Sequence, residues 1–180
     1  IAWNSWDPHR ALEIFDQTVA IAREAGDQRM VAFALHNTGV IRVLCGYCAA
    51  GLEAIDTSEQ MLVDLQEPFW RFNTKNMRGN AMIALGHEAA AIREFDAAIE
   101  GITALSSELV IDHALESLGL ALLRHGSFDR AADVGERLIN VAIAASRPAS
   151  RVSGLLIAGR AAAELDDLGT AREHHRLALS

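Results

Sequence analysis

Few residues in this chain have types and spacing suited to chemistry, and they complete no catalytic or metal-binding set. Cys45 and Cys48 form a C-x-x-C pair, but zinc would need further ligands and redox chemistry a reactive thiolate at a helix start. His113 and Glu116 lie about one helical turn apart, yet no H-E-x-x-H or G-x-x-x-x-G-K-[ST] string occurs. We therefore expect the cysteines to pack and the polar pair to face solvent or a partner, without catalysis, cofactor or metal.

Three asparagines form the sharpest local pattern. Asn73, Asn76 and Asn80 follow i, i+3, i+7 spacing, which places them on one stripe of one helix. Each amide offers both a donor and an acceptor, which suits gripping an extended backbone. A basic stripe flanks them: Arg71, Lys75 and Arg78. Both stripes permit two interpretations, a solvated face or a binding surface, the basic one for acidic groups of a partner.

A forty-residue period in the sequence indicates the helices that position these side chains. Glycines recur at Gly39, Gly79, Gly119 and Gly159. A second series follows at Gly46, Gly86, Gly126 and then Asp166. A fixed period of this size indicates a repeat array, here a two-helix unit copied about four and a half times.

Local signals predict nine helices. Asp7 before Pro8 marks the first start, Pro68 and Pro148 begin two others, and Ser127 and Asp167 are expected N-caps. Short connections make each helix antiparallel to its neighbour. The predicted spans are 8–25, 28–44, 48–65, 68–84, 88–104, 107–124, 128–145, 148–164 and 168–179.

The two glycine series are expected to have different structural roles. A mid-helix glycine costs about 0.5–1 kcal/mol relative to alanine, so the first series indicates close approach of the paired helix. The second series falls at helix ends, where glycine readily adopts a left-handed cap. Asp166 breaks that series, and we expect it to cap the next helix.

Composition excludes some classes of protein. The 180 residues are 51% hydrophobic, enough for a continuous core, and the net charge of −8 argues against nucleic acid. Charged residues interrupt every apolar run, so we expect no membrane span. We expect a cytoplasmic location. Trp3 and Trp6 at the front and Leu177 and Leu179 at the back predict exposed apolar ends. We expect the chain to be a segment of a longer protein, and to form homo-oligomers through these ends.

Two runs carry a family resemblance. Leu85-Gly86-His87-Glu88 with Ala91, Phe95 and Ala98, and Gly119 through Gly126-Ser127-Phe128-Asp129-Arg130-Ala131, resemble tetratricopeptide (TPR) repeats. The resemblance implies an all-α fold, a right-handed TPR-like α-solenoid of antiparallel helix pairs. Its register gives a partial repeat 1–31, repeats 32–71, 72–111 and 112–151, and an incomplete repeat 152–180. More narrowly, two stretches are similar to the helical region of multidomain bacterial nucleotide cyclases and ATPase-type transcriptional regulators: Val31-Ala32-Phe33-Ala34-Leu35-His36, and Pro68-Phe69-Trp70 leading to Met77-Arg78-Gly79-Asn80-Ala81.

The resemblance further implies that the first helix of each repeat lines a concave groove that binds a protein or peptide. The groove face carried over to this chain is Phe33, His36, Asn37, Val40, Asn73, Asn76, Asn80, Ile83, His113, Glu116, Leu120, Arg124, Ser153, Leu156 and Arg160. We therefore expect a non-enzymatic interaction and scaffolding segment within a larger signalling or regulatory protein. Two alternatives stay open: a small-molecule sensor relaying binding to an attached effector, and a dimerisation module.

Overall fold

The computed structural model describes residues 7–105 and 111–179, and within them it contains nine α-helices and no strand. In chain order the helices are α1 (Pro8–Glu24), α2 (Gln28–Leu44), α3 (Cys48–Asp64), α4 (Pro68–Ala84), α5 (Glu88–Ala104), α6 (Ile111–His125), α7 (Phe128–Ala144), α8 (Pro148–Glu164) and α9 (Leu168–Ala178). Each predicted end lies within one residue of an observed one, except the start of α6. Its predicted residues 107–110 lie outside the described part of the chain, as do Trp3 and Trp6.

The helices belong to two compact units. One ends at His87 and holds α1 to α4, and the other begins at Glu88 and holds α5 to α9. Within each unit consecutive helices pack together, and α2 also contacts α4 as α6 contacts α8. The division into repeats with the boundaries given above stays a prediction.

Helix starts follow the local sequence signals. The Asp7 carboxylate accepts from the backbone N–H groups of His9 and Arg10 at 3.0 and 3.1 Å, and Pro8 occupies the first turn. Asp167 likewise caps α9 by accepting from the Thr170 N–H. Ser127 precedes α7 as expected, but its side chain makes no capping hydrogen bond.

Helix ends confirm the second glycine series. Gly46, Gly86 and Gly126 have φ of 84°, 81° and 79°, the left-handed region that glycine reaches without a Cβ clash. Asp166 adopts the same conformation, with φ of 62°. The expectation that Asp166 caps the next helix is therefore wrong: it takes the place of the glycine, and Asp167 supplies the cap.

The first glycine series marks close helix contacts, although not always with the paired helix. A Cβ on Gly39 would lie 2.6 Å from Ile55 Cγ1 and 2.9 Å from the carbonyl oxygen of Gly51, so α2 and α3 approach there as predicted. At Gly119 the nearest atoms instead belong to Ile157 of α8, 2.9 Å from the added Cβ. The small residue there serves the contact between α6 and α8.

Candidate functional site

The predicted groove residues lie on α2 and α4 in one unit and on α6 and α8 in the other. Those of the first unit are Phe33, His36, Asn37, Val40, Asn73, Asn76, Asn80 and Ile83. Those of the second are His113, Glu116, Leu120, Arg124, Ser153, Leu156 and Arg160. The two sets differ in how much of them a partner could reach.

His36 is not a groove surface residue, because α2 and α4 pack over it. The residue is 5% exposed, and its Nδ1 lies 2.9 Å from Thr74 Oγ1 of α4. The ring of Trp70 meets it edge-on, with centroids 6.3 Å apart, and also packs on Phe33 at 4.9 Å. His36 thus joins α2 to α4, and its predicted place on the binding face is wrong.

Burial also changes the acid–base behaviour of His36. Desolvation disfavours the imidazolium and lowers the pKa of His36 from 6.5 to about 4. The unfolded chain, with a pKa near 6.5, therefore binds a proton that the folded protein rejects. The free energy of unfolding is therefore unaffected by His36 above pH 6.5, and it falls as the pH drops from 6.5 toward 4.

We expect the free energy of unfolding to fall by about 2 kcal/mol between pH 7 and pH 5 through this one group, at 1.36 kcal/mol per pH unit below 6.5. His36→Gln should remove that share of the pH dependence, whereas His9→Gln on the exposed surface of α1 should keep it. Urea titrations followed by tryptophan fluorescence measure both slopes. An NMR titration of the His36 ring gives a second readout, and protonation near pH 6.5 in the folded protein would contradict the assignment.

The asparagine stripe is only partly open. Asn76 is 2% exposed, and its buried Oδ1 has no hydrogen-bond partner among the described residues. Asn73 and Asn80 are half-buried. Asn37 directs its Nδ2 to the Phe33 carbonyl oxygen at 2.8 Å. Asn76 therefore offers no amide to a partner, which corrects the prediction of a three-residue gripping stripe.

The basic stripe is engaged within its own unit. Glu59 of α3, which is nearly buried, accepts from Lys75 Nζ at 2.9 Å and from Arg78 Nη1 at 2.7 Å. Arg78 Nε also lies 3.1 Å from Asp56 Oδ1, and Arg71 Nε is 4.0 Å from Glu59. A buried carboxylate requires such compensation, so these cations hold α4 to α3. Neither the solvated-face nor the partner-site interpretation describes Lys75 or Arg78, whereas the Arg71 side chain is 42% exposed.

In the second unit a pair of polar contacts joins α6 to α8. Asp112, 1% exposed, accepts from Arg147 Nη1 at 2.5 Å and from Ser150 Oγ at 2.7 Å. One turn further along α6, Glu116 accepts from Ser153 Oγ at 2.7 Å. Residue numbers rise together along both helices, so α6 and α8 run parallel.

The carboxyl of Asp112 is held in its charged form. Burial alone would raise the pKa of Asp112, but hydrogen bonds from Ser150 and Arg147, with the charges of His113 and Arg147, outweigh it. The pKa of Asp112 therefore lies below its ordinary value of 3.8. Asp112 was not among the predicted site residues, although the positions one or two periods away, Ala32, Phe72 and Val152, are all apolar and indicate a buried column.

Beside these contacts α6 and α8 border an open, mostly apolar hollow of about 250 Å³. It is lined by Glu116, Leu120, Leu123, Ser153, Leu156, Ile157 and Arg160. Leu120 is 51% exposed and Leu156 49% exposed. Five of the seven lining residues belong to the groove face carried over by resemblance, and only Leu123 and Ile157 were missed. Both missed residues are buried and form the floor.

The remaining groove residues of this unit lie outside the hollow lining. His113 is exposed on α6. Arg124 directs its Nη2 to Glu88 Oε1 of α5 at 3.3 Å, a contact between exposed side chains. Arg124 is thus drawn toward α5, so the structure does not place it with Arg160.

The C-x-x-C pair lies where α2 ends and α3 begins. Cys45 follows the last residue of α2, Cys48 is the first residue of α3, and both are partly exposed free thiols. Among the described residues no group of three or more His, Cys, Asp or Glu side chains could hold a metal ion. Across the described ranges, no helix is both long and apolar enough to cross a membrane.

Comparisons with known proteins support the fold. No protein-family model and no curated protein sequence matches the chain. Among solved structures, it is similar to a Podosopora anserina kinesin light chain with nearly identical TPR-like repeats (TM-score 0.78, 14% identity, 95% of this chain and 84% of that chain covered). It is also similar to BtubC from P. vanneervenii (TM-score 0.77, 15% identity, 96% and 81% covered).

A third similar structure is a Rap protein complexed with competence and sporulation factor. Its TM-score is 0.71 at 13% identity, and the match covers 96% of this chain but 58% of the Rap chain. At such identities the similarity establishes architecture alone. Together with the all-helical described residues, it shows that this chain is a TPR-like repeat array.

Proposed function

We propose that this protein is a protein-interaction scaffold that binds a polypeptide segment in the hollow between α6 and α8. One observation carries the proposal: Leu120 and Leu156 stand about half exposed on the two sides of an open apolar hollow. Exposed leucines facing one another across a groove offer apolar area that only a partner would cover. The openness of the hollow to solvent favours a polypeptide over an enclosed small molecule, and so over the sensor alternative.

The Rap structure supports this proposal by analogy. That protein has a similar fold and was crystallised with a bound factor. A similar helical array in this chain gives a similar means of presenting side chains from successive repeats. The analogy concerns the mode of binding and not the identity of the ligand.

We also propose a cytoplasmic signalling or regulatory setting, of bacterial type. Its support is the similarity of Val31–His36 and Pro68–Trp70 to the helical region of bacterial cyclases and ATPase-type regulators. Self-association remains a separate proposal, which light scattering over a concentration series tests. A constant monomer mass would contradict it.

The test of the groove is selection of binding peptides from a displayed random-peptide library on the whole protein, with affinities measured by fluorescence polarisation. Leu156→Asp should weaken selected peptides at least about tenfold, because burying one leucine contributes about 1.5–3 kcal/mol. Ile143→Asp is the matched control, since Ile143 is equally exposed but lies on α7, outside the hollow. Selection of no peptide above background, or equal loss in both variants, would refute the proposed site.

A further inference from the structure

The two ends of the α6/α8 hollow differ in charge. The contacts of Glu116 with Ser153 and of Gly119 with Ile157 fix the parallel register of the helices. Glu116 therefore lies at the N-terminal end of the hollow, and Arg160 lies at its C-terminal end, level with Leu123. An anionic and a cationic side chain thus bracket the apolar stretch.

Neither charge is neutralised by an ion pair that the structure describes. Glu116 accepts one hydrogen bond, from the uncharged Ser153 hydroxyl. Arg160 is exposed on α8, and no carboxylate of the described residues lies within ion-pairing distance. Arg124, Arg130 and Arg147 of the same unit each pair with an acidic side chain, whereas Arg160, like Arg137 and Arg172, pairs with none that the structure describes. Complementary charges on a partner would fit both ends.

The middle of the hollow determines the size of the partner side chain that it can accept. Leu120 and Leu156 form its sides, and Leu123 and Ile157 its floor. A volume of about 250 Å³ accepts an aliphatic side chain of leucine or isoleucine size with room for its backbone at the open side. Branched aliphatic side chains bury well among leucines and bring no polar atom that would need a partner.

We propose that the segment bound here carries an aliphatic side chain between a basic residue, which faces Glu116, and an acidic residue, which faces Arg160. This proposal rests on the proposed function and adds to it the chemistry and the order of the bound side chains. From Glu116 to Leu123 is seven residues of α6, or about 10 Å. The charged residues of the partner are therefore about three positions apart in an extended segment, or about seven in a helix.

Charge reversal at one end tests the proposal. Peptides selected on the unaltered protein should be enriched in the order basic, aliphatic, acidic, read in either chain direction. Selection on Arg160→Glu should retain the aliphatic position and the basic residue facing Glu116, but replace the acidic position by a basic one. Arg172→Glu, on the exposed surface of α9, makes the same charge change outside the hollow and should leave the selected peptides unchanged.

Affinities supply a second measurement. Replacing the acidic residue of a selected peptide by glutamine should weaken binding to the unaltered protein about threefold to fivefold, the effect of an exposed ion pair. The same replacement should strengthen binding to Arg160→Glu, where it removes a repulsion. Peptides that need Leu156 but show the same charge preference on both proteins would overturn this inference while leaving the proposed function intact. Absence of selected peptides would overturn both.

Discussion

Gly39→Leu is expected to lower the free energy of unfolding by about 3 kcal/mol, at the upper end of the effects of overpacking. Even a methyl group there would lie 2.6 Å from Ile55 Cγ1 and 2.9 Å from the Gly51 carbonyl oxygen. The Ile55 side chain can shift, but the Gly51 backbone can move only if α2 and α3 separate. Because α3 also packs on α4, the displacement would spread through the unit.

Urea denaturation followed by tryptophan fluorescence measures this loss. Trp70 lies in α4, in the same unit as Gly39, so its contribution to the signal reports the unfolding of that unit. Ala20→Leu adds a similar side chain at an exposed mid-helix position of α1 and should change stability by less than about 0.5 kcal/mol. If Gly39→Leu unfolds at the same urea concentration as the unaltered protein, the close approach of α2 and α3 is wrong.

The helix ends could be predicted from the sequence because they depend on neighbouring residues. Asp7 with Pro8 begins a helix through a local carboxylate cap and a fixed φ, and Gly46 ends one through its own φ. The forty-residue period then repeated these signals along the chain. Asp166 shows where prediction from residue type alone fails. Its left-handed conformation follows its position in the forty-residue period and not its residue type.

The binding face was harder to predict because exposure depends on how non-consecutive helices pack. Spacing along α4 places Asn73, Asn76 and Asn80 on one stripe, but only packing decides that Asn76 becomes buried. His36 is buried for the same reason, since α4 supplies both Thr74 and Trp70 against it. In the second unit the packing of α6 on α8 leaves Leu120 and Leu156 of the carried-over face about half exposed.

Asp112→Ala is expected to destabilise the unit that begins at Glu88 by about 2–3 kcal/mol at neutral pH. The change removes the only described acceptor of the Arg147 guanidinium and Ser150 hydroxyl hydrogen bonds, so both lose their described partner between α6 and α8. Breaking a buried pair costs about 3–5 kcal/mol, but Arg147 is partly exposed and water can solvate it again. Asp133→Ala, at an exposed position of α7, should change stability by less than about 0.5 kcal/mol.

Asp112→Asn separates the charge of this residue from its shape. The folded-state pKa of Asp112 lies below 3.8, so its charge stabilises the fold above that pH, and the contribution is lost as the pH falls through the folded-state value. Protonated Asp112 and the asparagine that replaces it in the variant are both neutral and nearly the same size, so the stability gap between the two proteins should shrink in acid. Urea unfolding followed by far-ultraviolet circular dichroism at pH 7 and below pH 3 measures that gap. A gap that stays constant would contradict the role assigned here to the charge of Asp112 in the contact with Arg147.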